Sequence, residues 1–118
     1  MGITTLKLRV ANAKDARRST ELECIVDSGA IFAIVPRRIL RAIGVRPTRS
    51  EHFSLIDGSH VRREIGEARF TIGERSGVSP VIFGARGDAA VMGAVTLETL
   101  GLMLDPLKRE LRTMRLSM

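Results

Sequence analysis

One short segment, Cys24-Ile25-Val26-Asp27-Ser28-Gly29-Ala30, constrains the fold of this chain more than any other. Apolar residues run directly into an acid, a hydroxyl and a glycine. A buried strand that ends in this way carries the carboxylate to the floor of a cleft, where Ser28 can hydrogen-bond beside it and Gly29 lets backbone approach backbone. Asp, Ser and Gly are also the commonest turn formers, so the segment alone fits a simple turn after a strand equally well.

A second element downstream has a similar pattern. Val91-Met92-Gly93-Ala94 leads into a helix-like stretch, 95–100, that is followed by Gly101. In the first half, a helix is predicted to begin at Pro36 and to end at Gly44, since proline suits a first helical position and glycine a helix end. The two halves therefore predict an internal pseudo-repeat, in which Val91-Met92-Gly93 is the companion of the Asp27 loop.

With these motifs in this order, the chain resembles the retropepsin-like aspartic proteases, and in particular their small prokaryotic-type single-domain group. The resemblance extends from about Leu6 to Leu111. It implies a mostly β fold: a closed antiparallel acid-protease barrel with one or two short helices. Residues 1–118 are expected to form one such domain. The basic stretch from Leu107 to Leu116 fits either a terminal strand or an arm for a partner subunit, with about 112–118 as the arm. The matching segments are Asp27-Ser28-Gly29-Ala30, Ile31 to Pro36, Asp57-Gly58, Val91-Met92-Gly93, Leu100-Gly101-Leu102 and the strand leading to Asp105-Pro106.

The resemblance implies an aspartic endopeptidase whose catalytic residues are Asp27, Ser28 and Gly29. Peptide hydrolysis of this kind needs two carboxylates that share a proton, one to activate water and one to protonate the substrate. The chain offers a single Asp-Ser-Gly loop, so a homodimer is expected to bring Asp27 of each subunit together across a two-fold axis. Ser28 is expected to orient the carboxylate and Gly29 to allow close packing of the loops. A peptide or protein is the expected substrate, and no cofactor is expected.

The segment from about Glu51 to Ile72 predicts a long hairpin, which the resemblance identifies as the flap over a bound peptide. Asp57-Gly58 favours a two-residue type I′ turn at its tip, so Asp57 is interpreted as a turn residue and not as a second catalytic acid. His52 and His60 lack the further ligands of a metal site, and no metal is assigned. The expected substrate-binding residues are Ala30, Leu55, Ile56, Asp57, Gly58, Val91 and Met92.

Three positions depart from the retroviral pattern. Retroviral members carry an arginine directly after the second glycine and acidic residues shortly after the catalytic loop, and these pair to brace the dimer and the cleft. This chain has Ala94, Ile31 and Phe32 there. A non-catalytic dimerisation or peptide-binding module of the same fold therefore stays open as the alternative function.

Most of the remaining chain predicts strands. Apolar and charged residues alternate from Leu6 to Val10 and from Leu22 to Val26, as in half-buried strands. Ile31 to Val35 is an unbroken apolar run, which predicts a strand buried on both faces. Cys24, the single cysteine, is interpreted as a small core residue. Arg86-Gly87-Asp88 is interpreted as a loop.

The charge of the chain is strongly positive, at +6 with a pI near 11.0. Its arginines are scattered in short pairs, and neither Trp nor Tyr is present to stack on bases, so nucleic-acid binding is disfavoured. The arginines are interpreted first as solvated surface and second as a preference for acidic partners or substrates. No apolar run approaches the ~20 residues of a membrane span, so the protein is expected to be soluble and cytoplasmic, without a membrane partner.

Overall fold

Residues 4–105 and 107–118 are described by a computed structural model, in which they form nine strands and two short helices. The predicted mostly β class is confirmed. The predicted strand end at Asp105-Pro106 falls partly on Pro106, which lies outside the described residues. The elements are β1 (Thr5–Asn12), β2 (Ser19–Val26), β3 (Ala33–Pro36), α1 (Arg37–Ala42), β4 (Arg49–Ser54), β5 (His60–Ile72), β6 (Arg75–Gly84), β7 (Val91–Met92), α2 (Ala94–Thr99), β8 (Leu102–Asp105) and β9 (Glu110–Thr113).

Seven of these strands form one sheet in the order β1-β2-β7-β3-β6-β5-β4. Strand β1 pairs with β2 on one side and with β5 on the other, which bends the sheet into a ring. Two parallel pairings, β2 with β7 and β3 with β6, interrupt the otherwise antiparallel order. Strand β4 pairs only with the first half of β5, so the β4–β5 hairpin extends from the ring, while β8 and β9 form a separate two-stranded sheet.

The core fills the ring because alternate strand residues point inward. Leu8 and Val10 of β1 are buried while Lys7 and Arg9 are exposed, as their alternation in the sequence predicts. Aliphatic side chains make up most of the core, and Phe70 and Phe83 are its two fully buried rings. The main buried residues are Leu8, Val10, Cys24, Val26, Ala33, Val35, Leu40, Ala68, Phe70, Val81, Phe83, Met92 and Leu97.

The two halves of the ring repeat the same order of elements, β1-β2-β3-α1 and β5-β6-β7-α2. Exchanging the halves converts the β2–β7 pairing into the β6–β3 pairing, and both of these are parallel. Strands β1 and β5, and likewise β3 and β7, pair with each other in antiparallel fashion, as elements related by a two-fold axis do. The predicted internal repeat is therefore present in the topology.

The ends of the two helices are also built alike. Gly44 after α1 and Gly101 after α2 both have a positive φ, +80° and +69°, which glycine adopts without strain. Arg75 donates to the Leu100 carbonyl at 2.9 Å, and Arg18 donates at 3.4 Å to a carbonyl of the last turn of α1. A guanidinium at a helix C-terminus also interacts favourably with the negative end of the helix dipole.

Two boundaries near the first helix differ from the sequence-based expectation. Pro36 is the last residue of β3 and precedes α1, which begins at Arg37. The strand that was expected over Ile31 to Val35 begins at Ala33, and the side chain of Ile31 is 65% exposed. The Ile31 carbonyl accepts a hydrogen bond from Val95 at the start of α2, so this part of the backbone is not available to a strand.

The turn of the β4–β5 hairpin is longer than the predicted two-residue type I′ turn. It spans residues 55–59, with the Gly58 amide donating to the Leu55 carbonyl at 2.9 Å. Gly58 has a φ of +86°, whereas Asp57 is not in the positive region that a type I′ turn requires at both central positions. The Asp57 carboxylate instead accepts a hydrogen bond from the Ser59 amide at 2.9 Å, which favours the longer turn.

We expect the thiol of Cys24 to be unreactive in the folded protein. Cys24 is 1% exposed, and burial raises the pKa of its thiol to about 11. The thiolate is the reactive form, so a disulfide reagent at mildly alkaline pH should modify Cys24 slowly in buffer and rapidly in denaturant. Equal rates in the two conditions would contradict the buried position.

Candidate active site

The carboxylate of Asp27 lies at the point where β2 leaves the core. Val26, the last residue of β2, is buried, whereas Asp27, Ser28 and Gly29 are exposed. The Asp27 amide donates to the Met92 carbonyl at 3.1 Å, and the Gly29 amide donates to Asp27 Oδ1 at 2.9 Å. The first bond holds the backbone of the loop, and the second orients the carboxylate while leaving its other oxygen open to solvent.

The second half of the chain packs directly against this loop. Ala94 donates its amide to the Ala30 carbonyl at 2.7 Å. A side chain on Gly93 would begin 2.7 Å from the backbone of Phe32, closer than real Cβ contacts allow. Glycine is therefore required at Gly93, because it lets the two backbones touch; the sequence had suggested such a role for Gly29 instead.

The loop that corresponds to the Asp27 loop in the second half is 85–90, which connects β6 to β7. Both loops contain the same turn bond, from Ala30 to the Asp27 carbonyl and from Asp88 to the Ala85 carbonyl, at 3.2 and 2.9 Å. The topology thus corrects the predicted pairing of Asp27 with Val91-Met92-Gly93, since β7 corresponds to β3. Ala85 occupies the position of Asp27, so the second loop has no acid at that point.

Asp88 is the acid of the second loop, and it is bound to the hairpin. Arg63 of β5 donates Nε to Asp88 Oδ2 at 2.9 Å and Nη2 to Oδ1 at 3.3 Å, and the Ala85 amide donates to the same carboxylate. The side-chain hydrogen bond from Arg63 is the main reason that the pKa of Asp88 is lowered, and the same bond raises the pKa of Arg63. Asp88 is thereby held as a carboxylate in an ion pair.

An apolar groove of about 370 Å³ lies between the Asp27 loop, the hairpin and the 85–90 loop. Most of its walls are aliphatic or aromatic, and the Arg63–Asp88 pair forms the charged part. A groove of this size and composition suits the side chains of an extended peptide. The lining residues are Ala30, Ile31, Phe32, Ile34, Phe53, Ser54, Leu55, Val61, Arg63, Ile82, Asp88, Ala89 and Val91.

The residues expected to bind substrate occupy three kinds of position. Ala30, Leu55 and Val91 line the groove. The exposed turn of the hairpin carries Ile56, Asp57 and Gly58, none of which lines it. Met92 is fully buried, and its carbonyl supports Asp27 while its side chain belongs to the core.

Several lining residues were not identified from the sequence. Phe53 faces Val61 across the hairpin; Val61 was expected to cover a bound peptide, and Phe53 could have been found from the alternation along the two strands. Arg63 and Asp88 are 25 residues apart and carry no common sequence signal. Arg86-Gly87-Asp88 forms a loop, as predicted, but its role in the groove wall depends on the folded arrangement.

The hydroxyl of Ser28 does not orient Asp27 within one chain. Over residues 4–105 and 107–118, no side-chain hydrogen bond joins Ser28 to another group. Ser28 does not line the groove, and it lines instead a separate pocket that it shares with Leu97 of α2 and Met103 of β8. This side of the loop is open to contact with another molecule.

The described residues contain neither a metal-ligand cluster nor a membrane helix. No group of three or more His, Cys, Asp or Glu side chains is gathered in 4–105 and 107–118. In the same residues, neither α1 nor α2 nor any other helix is long and apolar enough to cross a bilayer.

Comparisons with known proteins identify the fold through solved structures. No protein-family description and no curated protein sequence matches the chain. The EIAV protease, in complex with the inhibitor HBY-793, matches 88% of this chain and 93% of its own at 15% identity, with a TM-score of 0.65. The protease of simian foamy virus (mac) matches 79% of this chain and 92% of its own at 19% identity, with a TM-score of 0.53. A retropepsin-like aspartic protease from Rickettsia conorii matches 89% of both chains at 15% identity, with a TM-score of 0.51.

These matches cover most of the chain and most of each structure. The chain therefore has the retropepsin-like fold that the sequence resemblance implied. At this level of identity, the similarity describes the fold alone.

We expect the Arg63–Asp88 pair to stabilise the protein at neutral pH and to lose this effect in acid. Both side chains are mostly buried, with 21% and 26% exposure, and a hydrogen bond between charged groups contributes about 1.5–3 kcal/mol. A double-mutant cycle with Arg63→Ala and Asp88→Ala, followed by urea unfolding, should give a coupling free energy of about 1–2 kcal/mol at pH 7. Because the pKa of Asp88 is lowered in the folded state, the coupling should be present above pH ~4 and should be lost as the pH falls further.

The Arg49–Glu51 pair serves as the control for this cycle. Its side chains are 51% and 50% exposed, so its coupling should be well below 1 kcal/mol. Equal coupling in the two pairs, or coupling at Arg63–Asp88 that does not change with pH, would contradict the structural role given to Asp88.

Proposed function

We propose that the protein is an aspartic endopeptidase that acts as a homodimer, with Asp27 of each subunit as the catalytic acid. One observation carries the proposal: an exposed carboxylate, hydrogen-bonded through one oxygen by the Gly29 amide, is held in a loop whose next residues, from Ala30, line an apolar groove that a hairpin borders. The retropepsin-like fold supports this reading, because the matched proteins are described as proteases.

The arrangement of acids in one chain favours a dimer. Aspartic proteolysis needs two neighbouring carboxylates. The second loop has Ala85 at the position of Asp27, and its own acid, Asp88, is engaged by Arg63. A second copy of Asp27, contributed by another subunit across a two-fold axis, completes the pair without any new residue.

The outer surface of the chain supports such a contact. Exposed large apolar side chains occur on β8 and on the C-terminal segment: Met103 is 48% exposed, Leu116 72% and Met118 124%. Met103 is also a lining residue of the pocket that contains Ser28, which places one of these exposed apolar side chains next to the catalytic loop. The hydroxyl of Ser28 would be free to bond across the interface.

The chemistry follows from the pair of carboxylates. Two such groups at short distance cannot both ionise easily, so the pair holds one proton. The ionised carboxylate takes a proton from water as the water oxygen bonds to the substrate carbonyl carbon, and the protonated one donates to the carbonyl oxygen. The resulting tetrahedral diol then loses its amine: the C–N bond breaks, the nitrogen receives one carboxyl proton, and a diol proton returns to the carboxylate.

The groove and the hairpin would hold the substrate in place. An extended peptide can pair its backbone with strand edges while its side chains enter pockets. Leu55 and Ile56 precede the hairpin tip, and their exposed apolar side chains would cover a bound peptide and exclude water when the hairpin closes. The apolar walls favour large aliphatic or aromatic side chains next to the cleaved bond.

Asp27→Asn should abolish peptide cleavage and leave the fold unchanged. Asparagine keeps the Oδ1 atom that accepts the Gly29 hydrogen bond, and Asp27 is exposed, so its loss creates no buried defect. The amide cannot take a proton from water, which removes the general base. Cleavage of a diverse peptide pool, followed by mass spectrometry at mildly acidic and neutral pH, measures the effect.

Asp57→Asn is the matched control, because it makes the same change at an exposed acid of the hairpin turn. It should retain cleavage within a few-fold of wild type. Cleavage that survives Asp27→Asn would refute the mechanism. Saturable peptide binding with no cleavage by the folded wild-type protein would instead favour a non-catalytic peptide-binding module. Ala94, at the position of the retroviral arginine, is the sequence feature that supports this alternative.

A further inference from the structure

Arginines that are scattered in the sequence meet at a second concavity, the arginine pocket. It has a volume of about 720 Å³, and no acidic side chain lines it. Four of its seven lining residues are arginines, so the pocket is positively charged. The lining residues are Pro36, Arg37, Arg38, Arg41, Gly84, Ala85 and Arg86.

Three of the four arginines are available to bind a ligand. Arg37 donates to Glu64 at 2.6 Å and lies over the ring of the buried Phe83, so it is already engaged. Arg38, Arg41 and Arg86 are exposed, and none of them takes part in an ion pair within residues 4–105 and 107–118. Such a group of unpaired guanidinium groups attracts anions.

The positive surface continues beyond this pocket. Arg41 also lines a neighbouring concavity of about 460 Å³, together with Arg18 and Arg46. No acidic side chain lines that concavity either. The two together form an extended basic strip, which suits a chain with several negative charges better than a single small anion.

The arginine pocket and the apolar groove lie on the same face of the sheet. Ile34 pairs with Ile82 and both line the groove, while Pro36 pairs with Gly84 and both line the arginine pocket. Residues two apart on a strand face the same side and are separated by about 7 Å. A peptide that leaves the groove along this face would therefore reach the arginines within about two to four extended residues.

The 85–90 loop separates the two sites. Asp88 and Ala89 line the groove, and Ala85 and Arg86 line the arginine pocket. The Arg63–Asp88 pair holds this loop in place. A substrate segment that crosses the loop would thus meet a fixed wall with apolar contacts on one side and guanidinium groups on the other.

We propose that the arginine pocket binds an acidic segment of the substrate, next to the apolar segment that is cleaved. This inference rests on the proposed function and adds a substrate class to it: proteins with Asp or Glu clusters beside an apolar cleavage site. Guanidinium groups bind carboxylates through paired hydrogen bonds. The remaining lining, Pro36, Gly84 and Ala85, suits peptide side chains and offers no aromatic ring on which a base could stack.

Binding to the full-length Asp27→Asn protein tests this proposal, because it separates recognition from cleavage. Two fluorescent peptides with the same apolar core, one flanked by glutamates and one by glutamines, would be compared by anisotropy. Three exposed charge pairs of typical strength together predict roughly tenfold tighter binding of the glutamate peptide at low salt. The difference should shrink as the ionic strength rises.

Charge-matched variants locate the effect. Arg38→Gln/Arg41→Gln/Arg86→Gln should remove the preference for the glutamate peptide. Lys7→Gln/Arg9→Gln/Lys108→Gln loses the same number of exposed cations elsewhere and should keep it.

Three results would overturn the proposal: equal affinity for the two peptides, a preference that survives the pocket substitutions, or tight binding of an oligonucleotide that the glutamate peptide does not displace. Cleavage of the glutamine peptide by the wild-type protein reports on the proposed function separately. A protein that cleaves both peptides with equal KM would keep its function and lose the acidic site.

Discussion

The structure depends on one contact, at which the loop after β2 and the start of α2 hold each other in place. The Asp27 amide donates to the Met92 carbonyl, and the Ala94 amide donates to the Ala30 carbonyl. At Gly93 the two backbones are so close that no side chain would fit between them. Buried backbone groups that lose such partners cost free energy, so neither segment can move alone. The backbone of the Asp27 loop is therefore held by residues more than sixty positions later in the chain, while the nearby Gly29 amide orients the carboxylate.

The internal two-fold symmetry shows where a second catalytic acid would lie, and the second loop has no acid at that position. Both halves build the same loop with the same turn bond, but Ala85 takes the position of Asp27. Asp88 in the second loop binds Arg63 and so connects the 85–90 loop to the hairpin. In the proposed dimer, each subunit would contribute one loop with a free carboxylate and one loop that shapes the groove wall.

Local sequence patterns predicted the parts of the structure that local physics determines. The alternation of Leu8 and Val10 with charged residues gave the correct strand face, and Gly44 and Gly101 marked both helix ends. Ile31 was predicted to be buried because its neighbours are apolar, whereas tertiary hydrogen bonds to α2 keep it outside the strand.

Contacts between distant residues were not predictable in the same way. Arg63 and Asp88 meet only because β5 and the 85–90 loop are neighbours in the ring. The arginines of the arginine pocket come from α1 and from the 85–90 loop. Because these segments are far apart in the sequence, their positions did not indicate that they form a single surface. The sequence suggested a preference for acidic partners or substrates only as a second reading after solvation, and the clustering gives that reading a specific region of the fold.

The stoichiometry of a statine-type inhibitor tests the central claim, a shared pair of Asp27 carboxylates, most directly. A transition-state analogue binds far more tightly than a substrate only where the catalytic groups are assembled. Native mass spectrometry of the wild-type protein should give one inhibitor per two chains, and the Asp27→Asn protein should bind none at the same concentration. One inhibitor per single chain, or equal binding to the Asp27→Asn protein, would contradict the account.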